Sequence, residues 1–271
     1  ASPPSEPPVR REHGSFEISA ISCCTGSGRS RRPSRRRSGD DGEPPSGRSA
    51  SVTTRVVILG CGGFAREVLD VYEACIDRGD DLDVLGFVVD AAFGVPGTLV
   101  NDKPILGDFA WLAAQPESVL AICGVGDPVV RRTMVLRTGE RGFHSVIHPS
   151  AMLTRRVAIG CGVVITAGCI LTNQIVVGDH VQVNLDGTIG HDAVLEDYVT
   201  LSPGVHVSGN VRIGEGASIG TGACIIEKRR IGPWSVIGAG SVVTSDIERD
   251  TTAVGVPARV IRTRAEGWHL A

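Results

Sequence analysis

The chain has 271 residues, a formal net charge of −3, 35 glycines and 4% aromatic residues. This length allows two modest domains with additional tails, and the small net charge argues against a nucleic-acid partner for the whole chain. No apolar stretch reaches the roughly eighteen residues of a membrane-spanning helix, so we predict no membrane partner. The eight cysteines contain no C-x-x-C pair, which favours a reducing, cytoplasmic location.

Residues 1–53 are rich in Pro, Ser, Gly and Arg and contain very few aliphatic side chains. A segment of this composition cannot bury enough apolar surface to form a core, so we predict a disordered extension. Its arginine cluster is compatible with polyanion binding or targeting, but the interspersed acidic residues do not fit a transit peptide.

Residues 54–146 predict a small α/β domain. Residues 55–60 have the aliphatic character of a buried strand, and a glycine-rich turn separates them from an amphipathic helix over 66–76. Two further apolar segments, 84–89 and 119–125, predict strands of the same domain.

The order of strand, glycine-rich turn, helix, strand and acidic residue is typical of a nucleotide site. In such sites the backbone N–H groups at a helix N-terminus hold phosphate. Here Asp90 follows the second strand, and Asp127, which precedes a proline, predicts another helix start. Two alternatives remain open. Gly60, Gly62 and Ala65 also satisfy a dinucleotide fingerprint, and the glycine turn could have a structural role alone.

Every sixth residue from Ile147 to Val243 is Ile, Leu or Val, without exception. A period of six fits neither a helix nor a simple strand. It predicts a solenoid over 147–246 in which each hexapeptide forms one flat side and three sides form a triangular coil of eighteen residues. Glycine often follows the aliphatic residue, where we expect a corner with an unusual φ or a close backbone approach. Residues 247–271 are predicted to form a C-terminal tail.

One corner of this solenoid has catalytic character. His191 follows the periodic aliphatic residue by two positions and precedes Asp192. An imidazole beside a carboxylate can act as a general base near neutral pH, and the residue one coil further on is Gly209, which leaves a bare backbone N–H beside the ring. The alternative is an exposed corner histidine next to an unrelated acid. The histidine spacing does not fit a three-histidine zinc site, so we predict no metal.

Five segments together resemble a known family, and they comprise residues 60–68, 148–151, 184–192, 208–210 and 255–259. They resemble bacterial sugar acyltransferases of the sialic-acid O-acetyltransferase type, a family that includes N-acetyltransferases of nucleotide-linked 4-amino sugars. The resemblance covers residues 55–262 in order. It implies a Rossmann-like nucleotide-sugar-binding domain over 54–146, followed by a left-handed parallel β-helix. It also implies a homotrimer with acetyl-CoA as co-substrate in the groove between subunits.

The resemblance further implies roles for individual residues. His191 would be the general base, Asp192 would orient it, and the Gly209 N–H would hold the thioester oxygen. The residues implied for acetyl-CoA binding are Thr200, Gly209, Thr221 and Ala239. Those implied for nucleotide-sugar binding are Gly62, Gly63, Phe64, Asp90, Ala91 and Gly126. Relatives can carry a second histidine at the position of Thr200, and some carry histidine at the position of Phe64.

The function expected from these residues is acetyl transfer from acetyl-CoA to an amine or hydroxyl of a nucleotide-activated sugar. In the eighteen-residue register Cys161, Cys169 and Cys224 are not expected beside a histidine, so we predict direct transfer without an acyl-enzyme. The alternative is a catalytically silent module that binds or assembles nucleotide sugars. Such a module would lack the general base, whereas His191 is present.

Overall fold

The computed structural model describes residues 53–270. The predicted disordered extension, residues 1–53, falls outside the described residues apart from Thr53. The first domain is a five-stranded sheet with the spatial order β3-β4-β2-β1-β5, in which β1, β2, β4 and β5 are parallel. Its elements are β1 (Thr54–Leu59), α1 (Gly63–Asp77), β2 (Leu82–Val88), β3 (Leu99–Val100), β4 (Lys103–Gly107), α2 (Phe109–Ala113), β5 (Val119–Cys123) and α3 (Pro128–Arg137).

Helices cover both faces of this sheet because successive residues of β1 point to opposite sides. Val56 and Ile58 pack with α1, whereas Val57 and Leu59 pack with α2 and α3. The strands, the first helix and the Asp127 cap of α3 predicted from sequence are therefore confirmed. β1 lies between β2 and β5, so the chain crosses to opposite sides of β1 and leaves a crevice at the carboxyl ends of β1 and β5.

The second domain is a parallel β-solenoid of the left-handed β-helix type, as predicted. Short strands on its three flat sides pair with strands one coil away, for example Ile170 with Thr188 and Thr188 with His206. The strands are β6 (Val146–Ile147), β7 (Met152–Leu153), β8 (Val157–Ile159), β9 (Val164–Ile165), β10 (Ile170–Leu171), β11 (Ile175–Val177), β12 (Gln182–Val183), β13 (Thr188–Ile189), β14 (Val194–Leu195), β15 (Thr200–Leu201), β16 (His206–Val207), β17 (Arg212–Ile213), β18 (Ser218–Ile219), β19 (Cys224–Ile225), β20 (Arg230–Ile231), β21 (Val236–Ile237) and β22 (Val242–Val243).

The three flat sides of the solenoid are numbered one to three. Side one contains β6, β9, β12, β15, β18 and β21, side two contains β7, β10, β13, β16, β19 and β22, and side three contains β8, β11, β14, β17 and β20. The periodic aliphatic residues and the small residues four positions later fill the interior.

The corners show where the unusual backbone conformation lies. From 162 to 240, the residue three positions after each aliphatic has a positive φ, whether it is glycine or a larger residue such as Asp192 or Trp234. The glycine directly after the aliphatic has a different purpose. A Cβ on Gly190 would lie 2.7 Å from the Gly209 nitrogen, so glycine is needed there for the close approach of the next coil.

The C-terminal residues close the end of the solenoid. β23 (Thr251–Val254) extends side one in parallel with β21, and β24 (Arg259–Thr263) pairs antiparallel with β23. A short 3₁₀ helix (Trp268–Leu270) follows, and the His269 ring stacks on Trp234 with 3.9 Å between the ring centroids.

The first domain packs on side one. Val146 and Val164 belong to the hydrophobic cluster beneath α1, and Gln182 and Thr200 are buried on the same side. This contact brings the loop after β5 against the middle coils of the solenoid.

Two corner glycines allow a matched test of how tightly neighbouring corners of the solenoid stack. Gly216 and Gly222 have similar φ values of +63° and +69°. A Cβ on Gly216 would lie 2.2 Å from the Trp234 ring, whereas a Cβ on Gly222 would meet no atom within 4 Å. We expect Gly222→Ala to lower the free energy of unfolding by about 1 kcal/mol, the cost of a left-handed alanine. Gly216→Ala should cost about 2 kcal/mol more because of overpacking. Urea denaturation of both variants measures the difference, and equal losses would contradict the stacked corner.

Candidate active site

His191 and Asp192 occupy the corner between sides two and three. The His191 Nδ1 atom lies 2.9 Å from Asp192 Oδ2, and the two side chains are 63% and 42% exposed. The backbone holds this corner in place, because Asp192 N–H donates to the Asn173 carbonyl one coil before and Asn210 N–H donates to the His191 carbonyl from one coil after. The carboxylate therefore fixes the orientation of a solvent-accessible imidazole.

Gly209 forms the surface against which the imidazole lies. A Cβ at this position would be 2.6 Å from His191 Nε2, so a side chain here would displace the ring. Within residues 53–270 the Gly209 N–H makes no hydrogen bond, whereas the equivalent N–H groups of Cys161 and Asp179 at another corner are capped by aspartate side chains. The coil-register prediction that Gly209 lies beside His191 is confirmed by this geometry.

This arrangement suits proton transfer next to a developing negative charge. Asp192 binds Nδ1, which leaves Nε2 as the proton acceptor, and the carboxylate stabilises the imidazolium that forms. Gly209 lies against the same ring, and its N–H, which has no partner among residues 53–270, can donate to an oxyanion.

A second group of candidate residues lies at the crevice of the first domain. Gly62 caps α1 without a side-chain hydrogen bond, and α1 has no acidic residue in its first turn. A Cβ on Gly62 or Gly126 would meet no atom within 4 Å, and on Gly63 only the end of the Arg66 side chain. The backbone is therefore open to a ligand, and the N-terminus of α1 favours a negative one. Phe64 is partly buried against the core beneath α1.

Asp90 and Ala91 lie at the carboxyl end of β2, at the same edge of the sheet. The Arg137 guanidinium donates two hydrogen bonds of 2.7 Å to the Asp90 carboxylate and stacks 3.9 Å from the centroid of the Phe109 ring. These hydrogen bonds lower the pKa of the Asp90 carboxyl below its ordinary value. Sequence reasoning missed Arg137, because no spacing connects the last residue of α3 with the end of β2.

Thr200 has a different place from the one that the resemblance implied. Its side chain is on side one, 5% exposed, and its hydroxyl donates to the Gly126 carbonyl at 2.8 Å and accepts from Arg131 at 2.8 Å. The hydroxyl is thus engaged between the two domains and is not presented to an acetyl-CoA groove. Sequence reasoning also missed Arg131.

Thr221 and Ala239 lie together at the corner between sides one and two. Gly240 N–H donates to the Thr221 carbonyl, and both Thr221 and Ala239 are exposed. His191 and Gly209 occupy a different corner of the prism, and the crevice of the first domain lies beyond side one. A single chain therefore does not bring the three groups of candidate residues together.

The prediction that no cysteine lies beside a histidine is wrong for Cys224. It pairs with His206 across β16 and β19, since the two are eighteen residues apart. The His206 Nδ1 atom is 2.8 Å from the Thr188 hydroxyl, so this column of outward residues on side two contains Thr188, His206 and Cys224.

In the described part of the chain, no helix has the length and apolar character needed to cross a bilayer. Among residues 53–270, no group of three His, Cys, Asp or Glu side chains is arranged to hold a metal ion.

Two family models match the chain. The model described as PglD N-terminal domain matches residues 55–138, and the model described as bacterial transferase hexapeptide (six repeats) matches residues 192–227. The first match spans the domain from β1 through α3, and the second begins beside His191. Among curated protein sequences, none matches the chain.

Several solved structures share both domains. The acetyltransferase domain of PglB from Neisseria gonorrhoeae is 32% identical with a TM-score of 0.70, covering 77% of this chain and 100% of that domain. PerB from Caulobacter crescentus, solved with CoA and GDP-perosamine, is 31% identical with a TM-score of 0.69 over 76% of this chain and 96% of PerB. WeeI from Acinetobacter baumannii is 28% identical with a TM-score of 0.67 over 76% and 99% of the two chains.

Proposed function

The chain belongs to the hexapeptide-repeat sugar acetyltransferases, the family of sialic-acid O-acetyltransferases and nucleotide-sugar N-acetyltransferases, and from this we propose that it acetylates the amine of a nucleotide-linked amino sugar with acetyl-CoA. The observation that supports this most directly is His191, with Nδ1 on Asp192 and the ring lying across Gly209. An amine is favoured over a hydroxyl because PerB, which is 31% identical, and a perosamine N-acetyltransferase variant from Caulobacter crescentus, which is 30% identical, were both solved with CoA and GDP-perosamine.

His191 acts as the general base in the proposed reaction. As the sugar nitrogen forms a bond with the thioester carbonyl carbon, His191 Nε2 accepts the proton that the nitrogen loses. Asp192 holds the opposite ring nitrogen and stabilises the imidazolium. The same imidazolium returns the proton to the sulfur of CoA when the carbon–sulfur bond breaks, so the protons balance without an acyl-enzyme.

Gly209 supplies the oxyanion donor. Gly209 lies against the imidazole, and its N–H has no competing partner among residues 53–270, so it can donate to the carbonyl oxygen as negative charge develops. A preorganised donor of this kind lowers the activation free energy by about 3 kcal/mol. The first domain binds the nucleotide, with phosphate at the start of α1 near Gly62 and Gly63.

We propose that the complete site needs two chains. Thr221 and Ala239 are expected to bind acetyl-CoA, yet they lie on a different corner from His191 of the same chain. Both corners border side two. In a homotrimer with its threefold axis along the solenoid, the corner with Thr221 of one subunit can face the corner with His191 of the next.

Free-thiol release from acetyl-CoA tests the proposed activity. The acceptors are UDP-, GDP- and dTDP-linked amino sugars, each compared with the analogue that has a hydroxyl in place of the amine. We expect turnover with at least one amino sugar and about a hundredfold lower kcat/KM for its hydroxyl analogue. Equal turnover of the two would contradict the choice of the amine, and no turnover with any acceptor would contradict the proposed activity.

Replacement of the base tests the mechanism. His191→Ala should keep CoA binding and the oligomeric state while kcat falls by at least about a hundredfold, as expected on loss of a positioned general base. The control is Cys224→Ser, which removes the thiol beside His206 and should leave kcat unchanged in a direct transfer. Near-normal turnover of His191→Ala would refute the assignment of the base. Inactivity of a folded Cys224→Ser variant would instead indicate transfer through the thiol.

A further inference from the structure

Arg131 is fully buried between the two domains, and none of its hydrogen-bond partners is a carboxylate. Burial lowers the pKa of its guanidinium to about 10, and nearby Cys123, Asp127 and Tyr198 partly oppose that effect. The group remains charged at neutral pH. A buried cation held by neutral acceptors is costly, and an apolar side chain of similar volume is often at least as stabilising. Stabilisation of the fold alone therefore does not explain a guanidinium at this position.

The guanidinium joins the loop between β5 and α3 to two coils of the solenoid. On one side, Nη1 donates to the carbonyls of Val125 and Gly126 at 2.9 and 3.0 Å. On the other side, it donates to the Gln182 amide oxygen at 2.8 Å. The second nitrogen, Nη2, donates to the Tyr198 carbonyl at 2.6 Å and to the Thr200 hydroxyl at 2.8 Å.

The other two side chains complete the connection. The Thr200 hydroxyl donates to the Gly126 carbonyl at 2.8 Å, and the Gln182 amide donates to the Cys123 carbonyl at 2.9 Å. We call Arg131, Gln182 and Thr200 the interdomain clamp. It fixes the backbone from the end of β5 through Gly126.

The clamp determines where the amides of this loop point. In a trans peptide the C=O and N–H groups point in opposite directions. Because the carbonyls of Val125 and Gly126 are held inward, the N–H groups of Gly126 and Asp127 are directed away from the clamp. Neither N–H makes a hydrogen bond to another residue in the described range 53–270. The space next to Gly126 is open, since a Cβ there would meet nothing within 4 Å.

We infer that Arg131 is a positioning residue for the nucleotide-sugar site, and that the interdomain clamp aims the N–H groups of Gly126 and Asp127 at the bound nucleotide sugar while fixing that loop to the solenoid. This inference rests on the proposed function. It gives the second domain an indirect part in acceptor binding, because two of the three clamp side chains, Gln182 and Thr200, belong to the solenoid. Loss of the clamp should weaken binding of the acceptor and spare that of acetyl-CoA.

Three variants of the full chain test the inference. Thr200→Val keeps the side-chain shape and removes the hydroxyl from Gly126 and Arg131. Arg131→Met removes the guanidinium and keeps an apolar side chain of similar length. Arg132→Met is the matched control, because Arg132 is the next residue of α3 and its nearest acid, Glu215, is 4.0 Å away. Isothermal titration measures binding of UDP, GDP, dTDP and CoA, and steady-state assays give KM for each substrate.

The expected result is selective. Thr200→Val and Arg131→Met should weaken the best-bound nucleoside diphosphate and raise KM for its amino sugar about tenfold, the effect of losing a hydrogen bond to a charged group. CoA affinity, KM for acetyl-CoA and kcat at saturation should stay within about twofold of the wild type. Arg132→Met should change none of these values. If Arg131→Met does not fold, Thr200→Val decides the question.

Two results would overturn the inference. Folded clamp variants that bind nucleotide as the wild type does would show that the clamp is structural only, as would equal losses for CoA and nucleotide. These outcomes leave the proposed function intact, because the wild type would still bind nucleotide and transfer acetyl groups. A wild type that binds no nucleoside diphosphate and transfers no acetyl group would refute the proposed function, and the role of the clamp with it.

Discussion

Backbone hydrogen bonds between stacked coils, which join residues seventeen or nineteen positions apart, are the constraint on which the rest of the solenoid depends. Each coil must present its N–H and C=O groups in register with the next, and from 162 to 240 every corner has a left-handed residue three positions after the aliphatic. That requirement is met by residues as different as Asp192 and Trp234. The unbroken ladder of backbone hydrogen bonds therefore outweighs the conformational cost of a positive φ in a large residue.

The same register creates the candidate active site. It places Gly209 one coil above His191, with no side chain to separate the imidazole from the backbone N–H. It also separates that corner from Thr221 and Ala239, because residues that differ by a multiple of six but not of eighteen occupy different corners. A rigid prism cannot bend to bring two of its own corners together. The proposed reaction thus depends on the association of identical chains, and on the interdomain clamp to hold the acceptor domain against the coils.

The sequence predicts the periodic features well and the non-periodic contacts poorly. The six-residue period identifies the solenoid, its interior residues and the neighbour of His191. The same arithmetic leads from Cys224 to His206, so that pairing could have been found from the sequence. Thr200 was assigned wrongly to an open groove, because the outward positions of the three sides look alike until one side is covered. The hydrogen bonds from Arg131 to the solenoid connect residues 51 to 69 positions apart, and no repeat or motif indicates them.

Complementation between two inactive chains tests the two-chain site most directly. One chain has His191→Ala, and the other has Thr221→Trp, which fills the corner expected to bind acetyl-CoA. When the two are unfolded together in equal amounts and refolded as mixed trimers, about a quarter of the sites would combine an intact His191 with an intact Thr221 corner from a neighbour. The account predicts recovery of acetyl transfer to about a quarter of the wild-type rate, with no activity in either variant alone. Mixed trimers that stay inactive would contradict a site built from two chains.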